Sequence, residues 1–360
     1  MDNLFCLMQQ ITNLMWGRSN RAVVICATAV VMLVMTSRLF SSVSSPEDIS
    51  DEQITEEQMR VLRAFSRFAA RDQKRGEKPA LVYVEKKDLS KSPARVRSDA
   101  LIGNLQKICQ NFNVTIPLTA FMLAHMHFDH KRQAVYCFTP KVACTSWKRI
   151  WMKMTGIVKP EKDLAQLSRY TIHTSIPTMA SMGDKVPEML AKYKKFMFVR
   201  HPFDRVLSAY KDKLEHKDTE SSYNFHKEIG VRILNKYRTR GLNYTGDDVT
   251  FPEFMRFISE PGHGTFEQRN EHWLTIHEIC NPCAVKYDFI GKYENLKEDA
   301  HYLLDWLGAS NLTKEFPVSD RPFHAKRYEP KYFNQLDHKT KLSFFQKYLL
   351  DFAAFNYTFV

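Results

Sequence analysis

Ala134-Val135-Tyr136-Cys137-Phe138-Thr139-Pro140-Lys141-Val142-Ala143-Cys144-Thr145-Ser146-Trp147-Lys148-Arg149 is the stretch on which the reading of the fold turns. Its first six residues have the composition of a strand, and Pro140 stops the run. From Thr145 onward Trp147, Ile150, Trp151 and Met154 fall at i, i+3, i+4 and i+7, the spacing of one buried helix face. The loop Pro140–Cys144 therefore joins a strand to a helix.

A second copy of this arrangement follows. Phe196-Met197-Phe198-Val199 is a short apolar run ending at Arg200, and Phe203, Val206, Leu207 and Tyr210 repeat the helical spacing. Pro202 stands at the start of that helix, where a missing N–H costs nothing. Further on, Tyr287–Tyr293 reads as a third strand. Asn295 is placed to cap a helix that carries Ala300–Leu307 and stops at Gly308, and Leu342–Phe355 reads as a C-terminal helix. Strands alternating with helices predict an α/β fold around a central, mainly parallel sheet. Residues 79–125 carry scattered basic charge and one apolar stretch that periodicity does not place.

In such folds a strand, a tight loop and a helix N-terminus form a phosphate site, because the first helical amides are unpaired and the helix dipole favours an anion. Lys141 offers a point charge to such a site, and Thr145 and Ser146 offer hydroxyls. The loop is not the nucleotide-binding Gly-x-x-x-x-Gly-Lys pattern: it has no glycine, and its lysine precedes the hydroxyls by several residues. This argues against an ATP-dependent kinase. At the second strand end, Arg200 and Ser208 supply a guanidinium and a hydroxyl that suit a further phosphate.

The chain has 360 residues, 44% hydrophobic and 12% aromatic, enough for a sizeable core. Its net charge of +12 calls for acidic partners. Ala22–Met35 is an apolar run, with 16 residues between Arg21 and Arg38. A spanning helix wants about 20 residues, within a range of about 17–25, and flanking arginines snorkel to extend a short one. A cleaved signal peptide is the rival reading, but SSVSS after Phe40 is a poor cleavage site. The expectation is a cytoplasmic tail over 1–21, a signal-anchor helix over 22–40, a stem over 41–78 and a luminal domain over 79–360. Arg18 and Arg21 ahead of the run favour that orientation. Four Asn-x-Thr patterns, at Asn113, Asn243, Asn311 and Asn356, agree with a luminal body, which never meets nucleic acid. Cys109, Cys137, Cys144, Cys280 and Cys283 are left beyond the anchor, an odd number, so at least one thiol stays free or pairs between chains.

Together the two loops resemble those of the Golgi carbohydrate sulfotransferases of the HNK-1 and chondroitin/dermatan type. The resemblance continues through Asn270-Glu271-His272-Trp273, Cys280-Asn281-Pro282-Cys283, Tyr287–Glu294 and Phe355-Asn356-Tyr357, and spans about residues 133–360. It implies a P-loop-like sulfotransferase fold, 3′-phosphoadenosine 5′-phosphosulfate as sulfuryl donor and no required metal. It also implies that Pro140, Lys141, Val142, Ala143, Cys144, Thr145 and Ser146 grip the 5′-phosphosulfate, with Lys141 at the bridging oxygen. The segment Arg200, His201, Pro202, Phe203, Asp204, Arg205, Val206, Leu207 and Ser208 corresponds to the family's 3′-phosphate grip. Chondroitin 4-O-sulfotransferases look most alike, on PKVACTSWKR, NEHW and the Cys-x-Pro-Cys stretch. His201 departs from the acidic residue many relatives carry there.

Sulfuryl transfer needs a base for the acceptor hydroxyl, charge stabilisation on the leaving phosphate and in-line attack. His173, in Tyr170-Thr171-Ile172-His173-Thr174-Ser175, lies between the two loops and matches a family His-x-Ser element, so it is the expected base. Glu271 and His272 are the alternative, and are otherwise expected to contact the acceptor. Lys227, Arg232, Lys236, Arg238 and Arg240 form a basic stretch able to hold an acidic glycosaminoglycan, with Lys192, Lys194 and Lys195 as an extension; Lys236 and Arg238 are the named acceptor contacts. Cys280-x-x-Cys283 suits a disulfide better than half a zinc site, and His125, His127, Asp129 and His130 read as a polar face or loop. The predicted reaction is sulfation of a glycosaminoglycan, with position 4 of N-acetylgalactosamine in chondroitin as the leading acceptor. Dermatan or a terminal glycan is the nearest alternative, and a catalytically silent polyanion-binding membrane protein is the alternative of another class.

Overall fold

The computed structural model describes residues 89–159, 167–217, 220–239, 242–260, 270–312, 316–317 and 329–359. The chain divides into two compact units, and these residues make up most of the one spanning Ala80–Tyr357. The expected tail, anchor and stem lie outside the described residues. Among the described residues no helix is long and apolar enough to cross a membrane.

Four strands form one sheet in the order β1 (Met126–Asp129), β2 (Ala134–Cys137), β3 (Lys194–Val199) and β4 (Phe289–Lys292). β2, β3 and β4 run parallel, with Tyr136 opposite Phe196 and Phe196 opposite Phe289, while β1 pairs antiparallel with β2. The three strands expected from the sequence are the three parallel ones. β1 is the correction: His127 and Asp129 belong to a buried edge strand and not to a polar face or loop. Its polar side chains are buried because each has a partner. His127 donates Nδ1–H to the Pro177 carbonyl at 3.1 Å, and Asp129 pairs with Arg132 at 3.0 Å.

The helices used below are α1 (Pro93–Asn111), α2 (Ala120–Ala124), α3 (Cys144–Met154), α4 (Arg169–Thr174), α5 (Pro202–Tyr210), α6 (Phe251–Ser259), α7 (Ile276–Cys280), α8 (Leu296–Trp306) and α9 (His338–Ala354). α3 buries Trp147, Ile150 and Trp151 completely, on the stripe its spacing predicted. Both indoles meet Tyr136 and Phe196, which stack on each other at 4.9 Å across the β2–β3 register. Burying side chains of this size contributes about 1.5–3 kcal/mol each before the entropy of ordering is subtracted. Gly291 on β4 is required by close approach, since a Cβ there would collide with the Phe198 ring. α1 fills the region periodicity could not place and covers the open edge of β4, where the Ile290 amide donates to Ser98 Oγ at 2.8 Å.

Two disulfides fix the surroundings of the sheet. Cys137, the last residue of β2, bonds to Cys280 at the end of α7, and Cys109 of α1 bonds to Cys283. Cys144 is the free thiol among the described cysteines. Cys280 and Cys283 thus serve separate long-range bridges.

Candidate active site

Because β2, β3 and β4 are parallel and in register, their carboxyl ends open on one edge of the sheet. That edge is where an α/β sheet binds ligands. Lys141 follows β2, Arg200 follows β3 and Tyr293 follows β4, and all three line a cavity of about 410 Å³. Its wall carries Lys141, Arg169, Arg200, Lys213 and Lys297 against Asp212 and Glu271, a cationic excess suited to a polyanionic ligand.

The first loop turns sharply without glycine. Lys141 and Ala143 adopt φ of 70° and 56°, in the left-handed region, and Ala143 stands immediately before the first turn of α3. Pro140, Lys141, Ala143, Cys144, Thr145 and Ser146 line the cavity, whereas Val142 turns into the core. Arg200 braces this loop by donating Nη1–H to the Lys141 carbonyl at 3.0 Å, and its guanidinium lies 4.3 Å from the centre of the Tyr293 ring.

Of the second segment, Arg200 and Ser208 reach the cavity. Pro202, Phe203, Val206 and Leu207 are buried, and Asp204 is buried as well. Arg205 is fully buried and donates to the carbonyls of Pro140, His272 and Leu274, so it fastens α5 to both sides of the site. The His201 amide donates to Glu294, and its ring packs edge-on against Phe352 and Tyr357. α5 continues into a π-helical turn, Lys211–Glu215, that brings Asp212 and Lys213 to the cavity. Asp212 lies one helical turn beyond Ser208, so the i, i+4 rule could have found it.

Lys141 Nζ pairs with Asp212 at 3.2 Å. Burial lowers the Lys141 pKa, and the Asp212 carboxylate opposes that. His173, on α4, is on the cavity wall as expected, with Nε2 3.5 Å from Thr145 Oγ1 and Nδ1 3.3 Å from Lys148 Nζ. Burial, then the Lys148 charge, pushes its pKa down to about 4, so the ring is neutral near pH 6–7. Lys148 itself is buried beneath the wall with its ammonium 3.4 Å from the centre of the Phe138 ring.

Glu271 and His272 enter from the segment before α7. Burial opposes ionisation of Glu271, but a hydrogen bond from His125 together with neighbouring positive charge outweighs it and lowers the pKa to about 2. Burial, then Lys213, lowers His272 to about 3.

The remaining described sequence candidates lie apart from the cavity lining, and Arg240 is outside the described residues. Lys236 pairs with Glu260 at 2.7 Å, and Arg238 is held by Asp248 and by Glu253 of α6. Lys192 pairs with Glu188, Lys194 donates to the Trp306 carbonyl, and Lys195 pairs with Asp288, so this triplet is not an open cationic strip. Asn113, Asn243, Asn311 and Asn356 are all exposed. Among the described residues no group of three or more His, Cys, Asp or Glu is placed to hold a metal. Phe138, Arg169, Asp212, Lys213, Tyr293 and Lys297 were not singled out from the sequence, although each lines the cavity.

Residues 124–358 match the sequence profile of the sulfotransferase family. The chain belongs to that family, and its relatives are carbohydrate sulfotransferases. It is 36% identical over 248 residues to carbohydrate sulfotransferase 11 of Mus musculus, covering 67% of this chain and 69% of that protein. It is 32% identical over 278 residues to carbohydrate sulfotransferase 14 of Homo sapiens (73% and 70%) and 28% identical over 324 residues to carbohydrate sulfotransferase 12 of Mus musculus (78% and 75%). No solved structure gives a significant match.

Proposed function

We propose that this carbohydrate sulfotransferase moves the sulfuryl group of 3′-phosphoadenosine 5′-phosphosulfate to position 4 of N-acetylgalactosamine in chondroitin. The observation that carries the donor reading is the convergence of Lys141, Thr145, Ser146, Arg200 and Ser208 on one cationic cavity at the carboxyl ends of parallel strands. In this reading the amides and hydroxyls at the start of α3 hold the 5′-phosphosulfate, and Arg200 with Ser208 holds the 3′-phosphate. Lys141 neutralises charge that develops on the leaving phosphate.

Attack by the acceptor oxygen forms the new S–O bond, the bridging bond between sulfur and the phosphate oxygen breaks, and the acceptor proton passes to a base. His173 is the proposed base. A second reading gives this role to Glu271, because Lys148 occupies Nδ1 of His173; when that ammonium donates, the ring hydrogen sits on Nε2 and leaves no lone pair for the acceptor. His173→Gln and Glu271→Gln decide between them: loss of the base lowers kcat by about 10²–10⁴-fold while donor binding persists.

The proposed setting is the Golgi membrane, with a single-pass type II anchor and a luminal catalytic domain. Two disulfides and four exposed Asn-x-Thr sites support an oxidising lumen. The test of the whole reading is transfer of labelled sulfate from the donor to desulfated chondroitin, dermatan, heparan and N-glycan acceptors, followed by disaccharide analysis. Label at position 4 of N-acetylgalactosamine is the expected result. Label elsewhere reassigns the acceptor, and neither transfer nor donor binding overturns the donor reading.

A further inference from the structure

His125 lies outside the cavity lining and immediately before β1, yet it touches two lining residues, Glu271 and Phe138. Its Nδ1 is 2.8 Å from the Phe121 carbonyl, and its Nε2 is 2.8 Å from Glu271 Oε2. A carbonyl can only accept, so Nδ1 carries a hydrogen. The second nitrogen faces a carboxylate oxygen, so a hydrogen lies between Nε2 and Oε2 as well. The imidazole cannot swing away, since it packs on Phe121 at 4.5 Å and on Phe138 at 4.9 Å, and its side chain is only 5% exposed. Glu271, by contrast, is 40% exposed and faces the cavity.

The arrangement resembles the general pattern in which a buried third group orients an acid–base residue that meets the substrate. One carboxylate oxygen is anchored and the other is left to the cavity. Phe138, which packs on His125, also carries Lys148 over its ring, so one aromatic side chain supports both Glu271 and His173 indirectly.

We propose that His125 is the positioning residue of Glu271, and that the pair takes the acceptor proton during sulfuryl transfer. The inference rests on the sulfotransfer reading of the cavity and deepens its second assignment of the base. In the step, the acceptor O–H bond breaks and its proton goes to the free Glu271 oxygen. The hydroxyl electron pair forms the S–O bond, and the bridging bond to the leaving phosphate breaks with its electron pair remaining on the phosphate opposite Lys141. His125 keeps its Nδ1 hydrogen throughout. Its contribution is to hold the anchored oxygen so that the free one is aimed at the acceptor.

The test is a double-mutant cycle read as kcat, acceptor KM and affinity for adenosine 3′,5′-bisphosphate. His125→Phe keeps the ring packing and removes both hydrogen bonds; His125→Gln keeps an N–H able to reach Glu271. The expected result is that His125→Phe lowers kcat at least about tenfold, that His125→Gln recovers part of the loss, and that bisphosphate affinity is unchanged. In a Glu271→Gln background His125→Phe should add little further loss. Wild-type turnover in His125→Phe, or equal losses in the two backgrounds, overturns the proposal. If His125→Phe does not fold, the cycle is run with His125→Leu, which likewise removes both hydrogen bonds, and is judged by the same criterion. A wild-type protein that neither binds the bisphosphate nor transfers sulfate would overturn the site reading itself, an outcome distinguishable from failure of the pair.

Discussion

Lys141 Nζ sits 3.2 Å from Asp212 Oδ2, so the lysine proposed to meet the leaving phosphate is already paired with a carboxylate from the π-helical turn after α5. Burial and the nearby Lys213 both favour the neutral amine, and Asp212 counters them. Asp212→Asn should therefore lower the Lys141 pKa further. The alkaline limb of the kcat profile is expected to move to lower pH. Lys141→Ala should reduce transfer at least about 100-fold with the melting curve preserved. An unmoved alkaline limb in Asp212→Asn would separate Lys141 from that limb.

Ala143→Gly tests the glycine-free turn. A left-handed alanine costs roughly 1–2 kcal/mol, and glycine relieves this while adding unfolded-state entropy worth about 0.4–1 kcal/mol. The variant should be as stable as the parent or more stable by up to about 1.6 kcal/mol, yet show a higher donor KM because the loop is less tightly fixed. Denaturant titration and donor kinetics check the two halves separately. A lower stability would mean that the turn is not strained at Ala143.

Acid should weaken the fold through His127. Burial, then the Lys148 charge, holds its pKa down at about 3, against about 6.5 in an unfolded chain. The folded state thus binds fewer protons than the unfolded state between those values, so stability is complete above about pH 6.5 and falls as pH drops toward 3. Between pH 7 and pH 5 this one residue should account for about 2 kcal/mol. Unfolding measured at both pH values should show a smaller difference in His127→Phe, whose ring can still stack on Phe138. An equal difference in parent and variant would remove His127 as a cause.

The parallel strands and the loops after them were legible because their signals are local. A short apolar run, a stop and a 3.6-residue stripe suffice to place Lys141 and Arg200 at strand ends. β1 was not legible, since its histidine and aspartate look solvent-facing until Pro177 and Arg132 are seen to bond them and Phe138 to stack on the His127 ring. The pairing of Lys236 and Arg238 was hidden for the converse reason. Their charges look free in sequence, but carboxylates 10 to 24 residues away pair with them in the fold. Arg169 and Lys297 belong to the cavity only through tertiary placement, and no local pattern marks them.

The Cys137–Cys280 bridge joins the strand that leads into the phosphate loop to the helix that follows Glu271 and His272. The walls proposed above to meet donor and acceptor are therefore fastened together by a bond that a reducing cytosol does not allow to persist. A chain emerging from the ribosome has every residue of the site and lacks the clasp that brings the two walls into register. On the proposed luminal reading, competence to sulfate would be acquired after synthesis, and the oxidation state of one cysteine pair would record where the chain has been.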